Sequence, residues 1–252
     1  MNIDLNRLPW HELSNPRTYE EKGGEQGYYD HARPELIALL DHVPRVVLDI
    51  GCAGGALGKS LKERHPGVVV TGIELSEEAV ALAATRIDRA LSENVEKLDF
   101  QKAGFGLGSI DAVFFPDILE HLYDPWNLLA RIKPYLARDA QVLASIPNIR
   151  NVWLINQLIL CKWDYEEAGL LDVTHIRFFT MKGVIDLFSQ TGYSIAHIER
   201  TVDVRVPEIV CPPGGKVDVK MPSGIITALG ARDVWELRTL QFLVSAKPVL
   251  KA

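Results

Sequence analysis

The stretch that most constrains this chain is Val47-Leu48-Asp49-Ile50-Gly51-Cys52-Ala53-Gly54-Gly55. The run from Val46 to Ile50 is apolar and rich in β-branched residues, and Gly51 ends it. A short run of that kind reads as a strand buried on both faces of a parallel sheet. Leu57 to Arg64 then has helical character and stops at Pro66 and Gly67. Strand, glycine-rich turn and helix thus follow one another without a spacer. Small residues in such a turn let a ligand lie directly on the backbone, and glycine takes backbone angles closed to other residues. In open α/β sheets, ligands gather at the carboxyl ends of the strands, which is where this turn falls.

The rest of the chain repeats the alternation. Val68 to Ile73 reads as a second buried strand ending at Glu74. Ser76, followed by Glu77 and Glu78, is a helix start, with a hydroxyl cap and acids at the positive end of the dipole, and that helix is expected to reach about Ala90. Ile110–Phe115 and Gln141–Ile146 read as strands, with Asp117 opening a turn of helix and Pro125 to about Leu136 helical between them. Pro34 opens an earlier helix, and Thr180 caps one over Met181–Gln190. Tyr193–Ile198 and a last, antiparallel strand over about Leu237–Ala246 complete the pattern. Helical crossovers imply a mostly parallel sheet. The expected fold class is α/β: a Rossmann-like, doubly wound, seven-stranded sheet with a helical lid insertion. With 252 residues and 47% hydrophobic side chains, the chain can bury one such core as a single domain, 1–252. Within it, residues 1–30 read as an N-terminal arm, 148–179 as a lid insertion, and the Pro- and Gly-rich 202–231 as a long loop.

Charge and cysteine usage narrow the partners. The formal net charge of −6 argues against nucleic acid, which needs a basic footprint. Cys52, Cys161 and Cys211 are odd in number and widely spaced, which suits a reduced, cytoplasmic protein rather than a disulfide framework. No apolar stretch is long enough to span a bilayer, so no membrane partner is expected. A homodimer is compatible with all of this.

The glycine turn lacks the G-x-G-x-x-G spacing of dinucleotide sites, because Ala53 stands two places after Gly51. Asp49 would also repel a phosphate there and suits a cationic ligand instead. S-adenosylmethionine (SAM) carries both an ammonium and a sulfonium. Glu74, ending the second strand, can accept two hydrogen bonds from a ribose diol. With these two acids in place, residues from about Tyr28 to Tyr193 resemble the class I SAM-dependent methyltransferases, whose first motif is similar to D-x-G-C-G-x-G. The resemblance implies SAM as cofactor, with Asp49 ordering its amino-acid end. Gly51, Cys52, Ala53, Gly54 and Gly55 would wrap it, Glu74 and Leu75 would hold the ribose, and Pro116 and Asp117 would border the site. It places Asn94 on the adenine amino group and the Val95 amide on a ring nitrogen.

Two further segments carry the chemistry. Asp117-Ile118-Leu119-Glu120-His121-Leu122-Tyr123-Asp124-Pro125 resembles the D-x-L-E-H-x-x-D-P stretch of ubiquinone-type and glycan-associated O-methyltransferases. Gly169 to Thr180 resembles the G-x-L-D-x-T-H-x-R-F-F-T segment of the glycan-associated branch. If the first is helical, Asp117, Glu120 and His121 share a face. His121 suits a general base that deprotonates an acceptor hydroxyl. The same three residues could hold a divalent metal, as the resemblance to ubiquinone-type enzymes implies, or simply cap and pack the helix. In the insertion, Asp172 could orient His175 as an alternative base, and Arg177 could bind a phosphate or carboxylate. Equally, these side chains could only fasten the insertion to the sheet. Trp153, Trp163 and Tyr165 could stack on an acceptor or anchor the lid, and Tyr28 and Tyr29 could close over SAM.

The function these residues point to is SAM-dependent O-methylation of a sugar, glycan precursor or other small molecule. The alternatives are metal-assisted methylation of a catechol or quinone precursor, and a non-catalytic SAM-binding module.

Overall fold

A computed structural model of the chain describes residues 31–249; the arm at 1–30, with Tyr28 and Tyr29, lies outside them. A four-residue helix α1 (Pro34–Ile37) leads into strand β1 (Val46–Ile50), helix α2 (Ala56–Arg64), strand β2 (Val69–Glu74), helix α3 (Glu77–Ala83) and strand β3 (Arg89–Ser92). Strand β4 (Ile110–Pro116), a 3₁₀ turn at Leu119–His121, helix α4 (Pro125–Ile132) and strand β5 (Leu136–Pro147) come next. Helix α5 (Val152–Ile159), helix α6 (Met181–Gln190) and strand β6 (Tyr193–Val202) precede a hairpin of β7 (Val217–Met221) and β8 (Gly224–Leu229). Helix α7 (Ala231–Leu237) and strand β9 (Thr239–Pro248) close the described chain.

Seven strands form one sheet in the order β3-β2-β1-β4-β5-β9-β6. β9 runs antiparallel to both β5 and β6, while the pairs from β3 to β5 are parallel. The chain leaves β1 toward β2 and β3, then returns to place β4 on the other side of β1. The carboxyl ends of β1 and β4 therefore flank the switch point where α/β sheets bind ligands.

The continuous apolar runs of the sequence have a simple cause. Side chains alternate across a strand, and both faces of this sheet are covered. On β4, Val113 and Phe115 enter one hydrophobic cluster and Ala112 and Phe114 enter the other. The caps form as expected: Ser76 Oγ accepts from the Ala79 amide at 3.3 Å, and Thr180 Oγ1 from the Gly183 amide at 3.2 Å.

Three segments differ from the sequence reading. The helix expected to reach Ala90 stops at Ala83, and Arg89–Ser92 becomes the edge strand β3. Asp88 accepts a hydrogen bond from the Val70 amide at 2.8 Å and pairs with Lys62, which pins this segment to the edge of β2. β5 has twelve residues rather than the six of Gln141–Ile146. The stretch 202–231, expected as a long loop, contains the β7–β8 hairpin. Val206, Val219 and Leu229 there bury against Val152, Val234 and Leu237 in a cluster of their own.

The insertion at 148–179 contains α5 and then turns, and it is fastened at its root. Asn148 Nδ2 donates to the Glu236 and Thr239 carbonyls at 2.7 and 3.0 Å, and Arg150 reaches Glu236 and Asp233. Among the described residues, no helix is long and apolar enough to cross a membrane.

Candidate functional site

The turn after β1 folds as its residue types require. The Gly51 and Cys52 amides both donate to the Ile73 carbonyl, at 2.8 and 3.2 Å, so the turn wraps over the end of β2. Gly51 has φ 72°, and a Cβ there would sit 1.9 Å from Ile118 Cδ1. Only glycine fits both the angle and the space. Ala53 also holds a positive φ, of 46°.

Asp49 sits at the carboxyl end of β1 with its residue surface 0% exposed, and neither carboxylate oxygen has a hydrogen-bond partner. Burial pushes its pKa up to about 7, and the nearby negative charge of Glu74 adds to the effect. A buried, unpartnered carboxylate is costly unless a cation meets it. Glu74 is engaged by the two turns it joins: Oε1 accepts from the Leu75 and Ser76 amides at 2.6 and 3.1 Å, and Oε2 from the Ala53 amide at 3.2 Å. Cys52 stays a thiol, because burial first, and then the charges of Asp49 and Glu74, push its pKa far up.

These groups open onto a cavity of about 630 Å³ that runs from the glycine turn to the underside of the insertion. Asp49, Gly51, Cys52, Ala53, Glu74, Leu75, Pro116 and Asp117 line one part of it. Glu120, His121, Asp172 and His175 line another. All of these were expected from the sequence.

Asp117 adopts φ 53° rather than starting a helix. Its carboxylate accepts from Ser145 Oγ at 2.6 Å and Gln241 Nε2 at 2.8 Å, and it pairs with Arg33. That oxygen pair is committed to the protein, so the expected metal trio of Asp117, Glu120 and His121 does not assemble. Among the described residues, Glu120, His121 and His175 do assemble, with one ligand atom from each within 4.8 Å of the others.

Glu120 is 1% exposed and its carboxylate has no hydrogen-bond partner. Burial, reinforced by the charge of Asp117, holds its pKa well above the usual carboxylate range. His175 Nε2 faces it at 3.9 Å. Burial lowers the pKa of His175, and the neighbouring His121 lowers it further. The two imidazoles meet edge to face, with ring centroids 4.7 Å apart. His121 Nδ1 lies 3.2 Å from the Thr174 carbonyl, and His175 Nδ1 lies 3.3 Å from the Leu170 carbonyl. A carbonyl only accepts, so each Nδ1 carries a proton, and in the neutral ring Nε2 is then the nitrogen with the lone pair. The insertion is clamped down here as well, because the Ile176 and Arg177 amides both donate to the Glu120 carbonyl.

Several expected residues lie elsewhere. Gly54, Gly55, Asn94 and Val95 do not line the cavity. Asn94 Oδ1 accepts from the Glu96 amide at 2.9 Å, and Val95 packs into the core. Arg177 donates to the Tyr123 carbonyl instead of facing a substrate. Trp153 packs beneath the Arg205 guanidinium, 4.1 Å from its ring centroid, and Tyr165 lies exposed outside the cavity. Asp172 does not bond His175; its Oδ1 accepts from Thr174 Oγ1 at 2.6 Å. Arg33, Ser145, Thr174 and Gln241 also belong to the site, and no motif in the sequence gives them a role. Polar residues inside strand-like apolar runs, as Ser145 and Gln241 are, were the available signal, because such groups must be paired when buried.

A family model described as a methyltransferase domain matches residues 48–142. The ubiquinone biosynthesis O-methyltransferase of Coxiella burnetii is 31% identical over 168 residues, which span 56% of this chain and 70% of that protein. That of Aromatoleum aromaticum is 35% identical over 108 residues, spanning 40% of this chain and 44% of that protein, so the chain matches less than half of that relative's length. A solved SAM-dependent methyltransferase from Archaeoglobus fulgidus shares the fold, with a TM-score of 0.59 at 17% identity over 91% of this chain and 97% of that one. The unpartnered Asp49 carboxylate, beside a turn with no room for a Cβ at Gly51, fits the cationic amino-acid end of SAM. By its sequence match to these relatives and by its fold, the chain belongs to the class I SAM-dependent methyltransferases.

Proposed function

We propose that the protein methylates a hydroxyl of a small, uncharged acceptor, a sugar or glycan precursor above all, within a single catalytic domain whose 148–179 insertion covers the acceptor. The observation that carries this reading is the shared cavity, with an unpartnered carboxylate for a cation at one part and two imidazoles whose Nδ1 atoms face backbone carbonyls at another. Asp49 binds the SAM ammonium, Glu74 the ribose, and the Gly51–Ala53 turn the chain between them. When bound, SAM supplies an electrophilic methyl group on a sulfonium. His121 Nε2 accepts the proton of the acceptor hydroxyl, and His175 and Glu120 line the pocket around that oxygen. The insertion orients the acceptor and keeps water out, where alignment contributes much of the rate.

Charge supports a neutral acceptor. The cavity lining contains Asp49, Glu74, Asp117, Glu120 and Asp172, and its one arginine, Arg33, is paired with Asp117. Among the described residues, a phosphate or carboxylate entering here would find no uncommitted guanidinium.

A second reading has its own observation. Glu120, His121 and His175 form a carboxylate and two-imidazole set around a buried, unpartnered carboxylate, which fits a divalent cation that would lower the acceptor's pKa. It suits a catechol or quinone-precursor acceptor, in line with what the curated relatives are named for.

One assay separates the readings. Transfer of a labelled methyl group from SAM is followed over panels of neutral sugars, sugar phosphates and catechols, with and without chelator, for wild type and His121→Asn. Transfer to a neutral sugar that survives chelator and is lost in the variant supports the first reading. Transfer to a catechol that chelator abolishes supports the second. Efficient transfer by His121→Asn sinks the assignment of the base.

A further inference from the structure

We propose that Thr174 is a positioning residue of this site: its hydroxyl, held by Asp172, fixes His121 in the tautomer that presents Nε2 as the base. The inference deepens the proposed function and rests on its reading of His121. Thr174 receives no role from the motif that contains it, but the hydrogen bonds around it have only one consistent proton arrangement.

Asp172 is buried, and its Oδ1 accepts twice from the same residue, from the Thr174 amide at 2.8 Å and from Thr174 Oγ1 at 2.6 Å. A threonine hydroxyl has one proton. Once that proton is given to the carboxylate, Oγ1 can only accept in its remaining contact, which is His121 Nδ1 at 3.0 Å. The Thr174 carbonyl, 3.2 Å from the same nitrogen, makes the same demand. Carboxylate, hydroxyl and imidazole thus form a relay in which every proton points toward Asp172. The logic matches that of a carboxylate orienting a catalytic histidine, with one hydroxyl interposed.

The relay also joins two parts of the fold. His121 ends the 3₁₀ turn after β4, whereas Asp172 and Thr174 belong to the insertion. The base is therefore oriented only when the insertion is seated, which is where the Ile176 and Arg177 amides hold it on the Glu120 carbonyl. Seating the cover over the acceptor and setting the base become one event.

The test of the relay itself needs no known acceptor. The full-length protein, labelled with ¹⁵N-histidine and kept in chelator so that no cation on Nε2 sets the tautomer, is examined by long-range ¹H–¹⁵N correlation at pH 8. The wild-type His121 ring should be predominantly the Nδ1–H form. Thr174→Val removes the hydroxyl at nearly constant volume and leaves the carbonyl contact in place. The Nδ1–H to Nε2–H ratio should then fall about two- to tenfold, the worth of one hydrogen bond. Thr174→Ser should restore it, a rescue that a packing role for the methyl group would not produce. SAM affinity and melting temperature, unchanged across the three proteins, serve as the control for folding, and Thr174→Ala replaces the valine variant if that one fails the control. An unaltered ratio in the hydroxyl-free protein overturns the relay and leaves His121 as base untouched. An altered ratio alongside undiminished transfer by His121→Asn keeps the relay and removes the base.

Discussion

Replacing Asp49 with asparagine should make the ligand-free protein more stable and nearly unable to bind its cofactor. The side chain keeps its shape and loses only its charge. In the fold the carboxyl is pushed from 3.8 to about 7, chiefly by burial. A tenfold change in proton affinity is worth about 1.4 kcal/mol, so at pH 8 the buried charge costs the empty protein up to about 4 kcal/mol. The unpaired asparagine amide has a burial cost of its own, about 1–3 kcal/mol. The net gain is about 2 kcal/mol, which at this chain length raises the melting temperature by roughly 4–8 °C. Against that, the variant loses charge-assisted bonds to the SAM ammonium, worth about 2–4 kcal/mol, or roughly 30- to 1,000-fold in affinity. Thermal melts at pH 8 and calorimetric titration with SAM measure the two effects on the same preparation. A variant that melts no higher than wild type, or that binds SAM within about threefold of it, refutes the reasoning, because the carboxylate would then be neither strained when empty nor the partner of the ammonium.

The same carboxyl sets a pH dependence. Its folded pKa lies above its unfolded value, so the cost of the buried charge is present above about pH 7 and is relieved as pH falls through 7 toward 4. Wild-type SAM affinity should fall about tenfold for each pH step of one below pH 7 as the carboxyl protonates, and titrations of Asp49→Asn over that range should be flat. Gly51→Ala meets both a positive φ and the Ile118 side chain. It should cost about 3 kcal/mol by denaturant titration, and an Ile118→Ala background should recover the steric part but not the backbone part. Asn148→Ala removes the donor to two carbonyls at the root of the insertion. It should lower stability by about 2–3 kcal/mol and raise hydrogen exchange across 149–179 before the central strands respond.

The sheet was legible because its strands are buried on both faces. β1, β2 and β4 pack mostly apolar side chains on both faces, so their β-branched and aromatic runs mark them within a residue of their ends. β3 was hidden, since a four-residue edge strand packs on little and Arg89-Ala90-Leu91-Ser92 has ordinary helix formers. The β7–β8 hairpin was hidden by Pro222 and Gly224, which read as loop, whereas Pro222 and Ser223 form its turn and Gly224 opens β8. The part of the cavity proposed for SAM was legible for a related reason. Asp49, the Gly51 turn and Glu74 sit where a strand ends, and strand ends are easy to locate. The other half depends on contacts between segments far apart in the chain. Asp117 meets Ser145 and Gln241, and His121 meets Thr174; spacing within one segment predicts neither. Arg177 shows the converse, since a residue that looked ready for a phosphate is used up by a backbone carbonyl.

The bond from Gln241 to Asp117 has a consequence for the order in which a ribosome delivers this chain. Gln241 lies on β9, the final strand of the sheet, which slots between β5 and β6 rather than adding to an edge. The glycine turn, Glu74 and both histidines leave the ribosome well before it. Until β9 arrives, Asp117 lacks one of its partners, the insertion lacks the Thr239 carbonyl that anchors Asn148, and β5 has an open side. A nascent chain halted before residue 239 would thus hold almost every residue of the site and no finished cavity. The cavity is therefore completed only when β9 takes its place between β5 and β6.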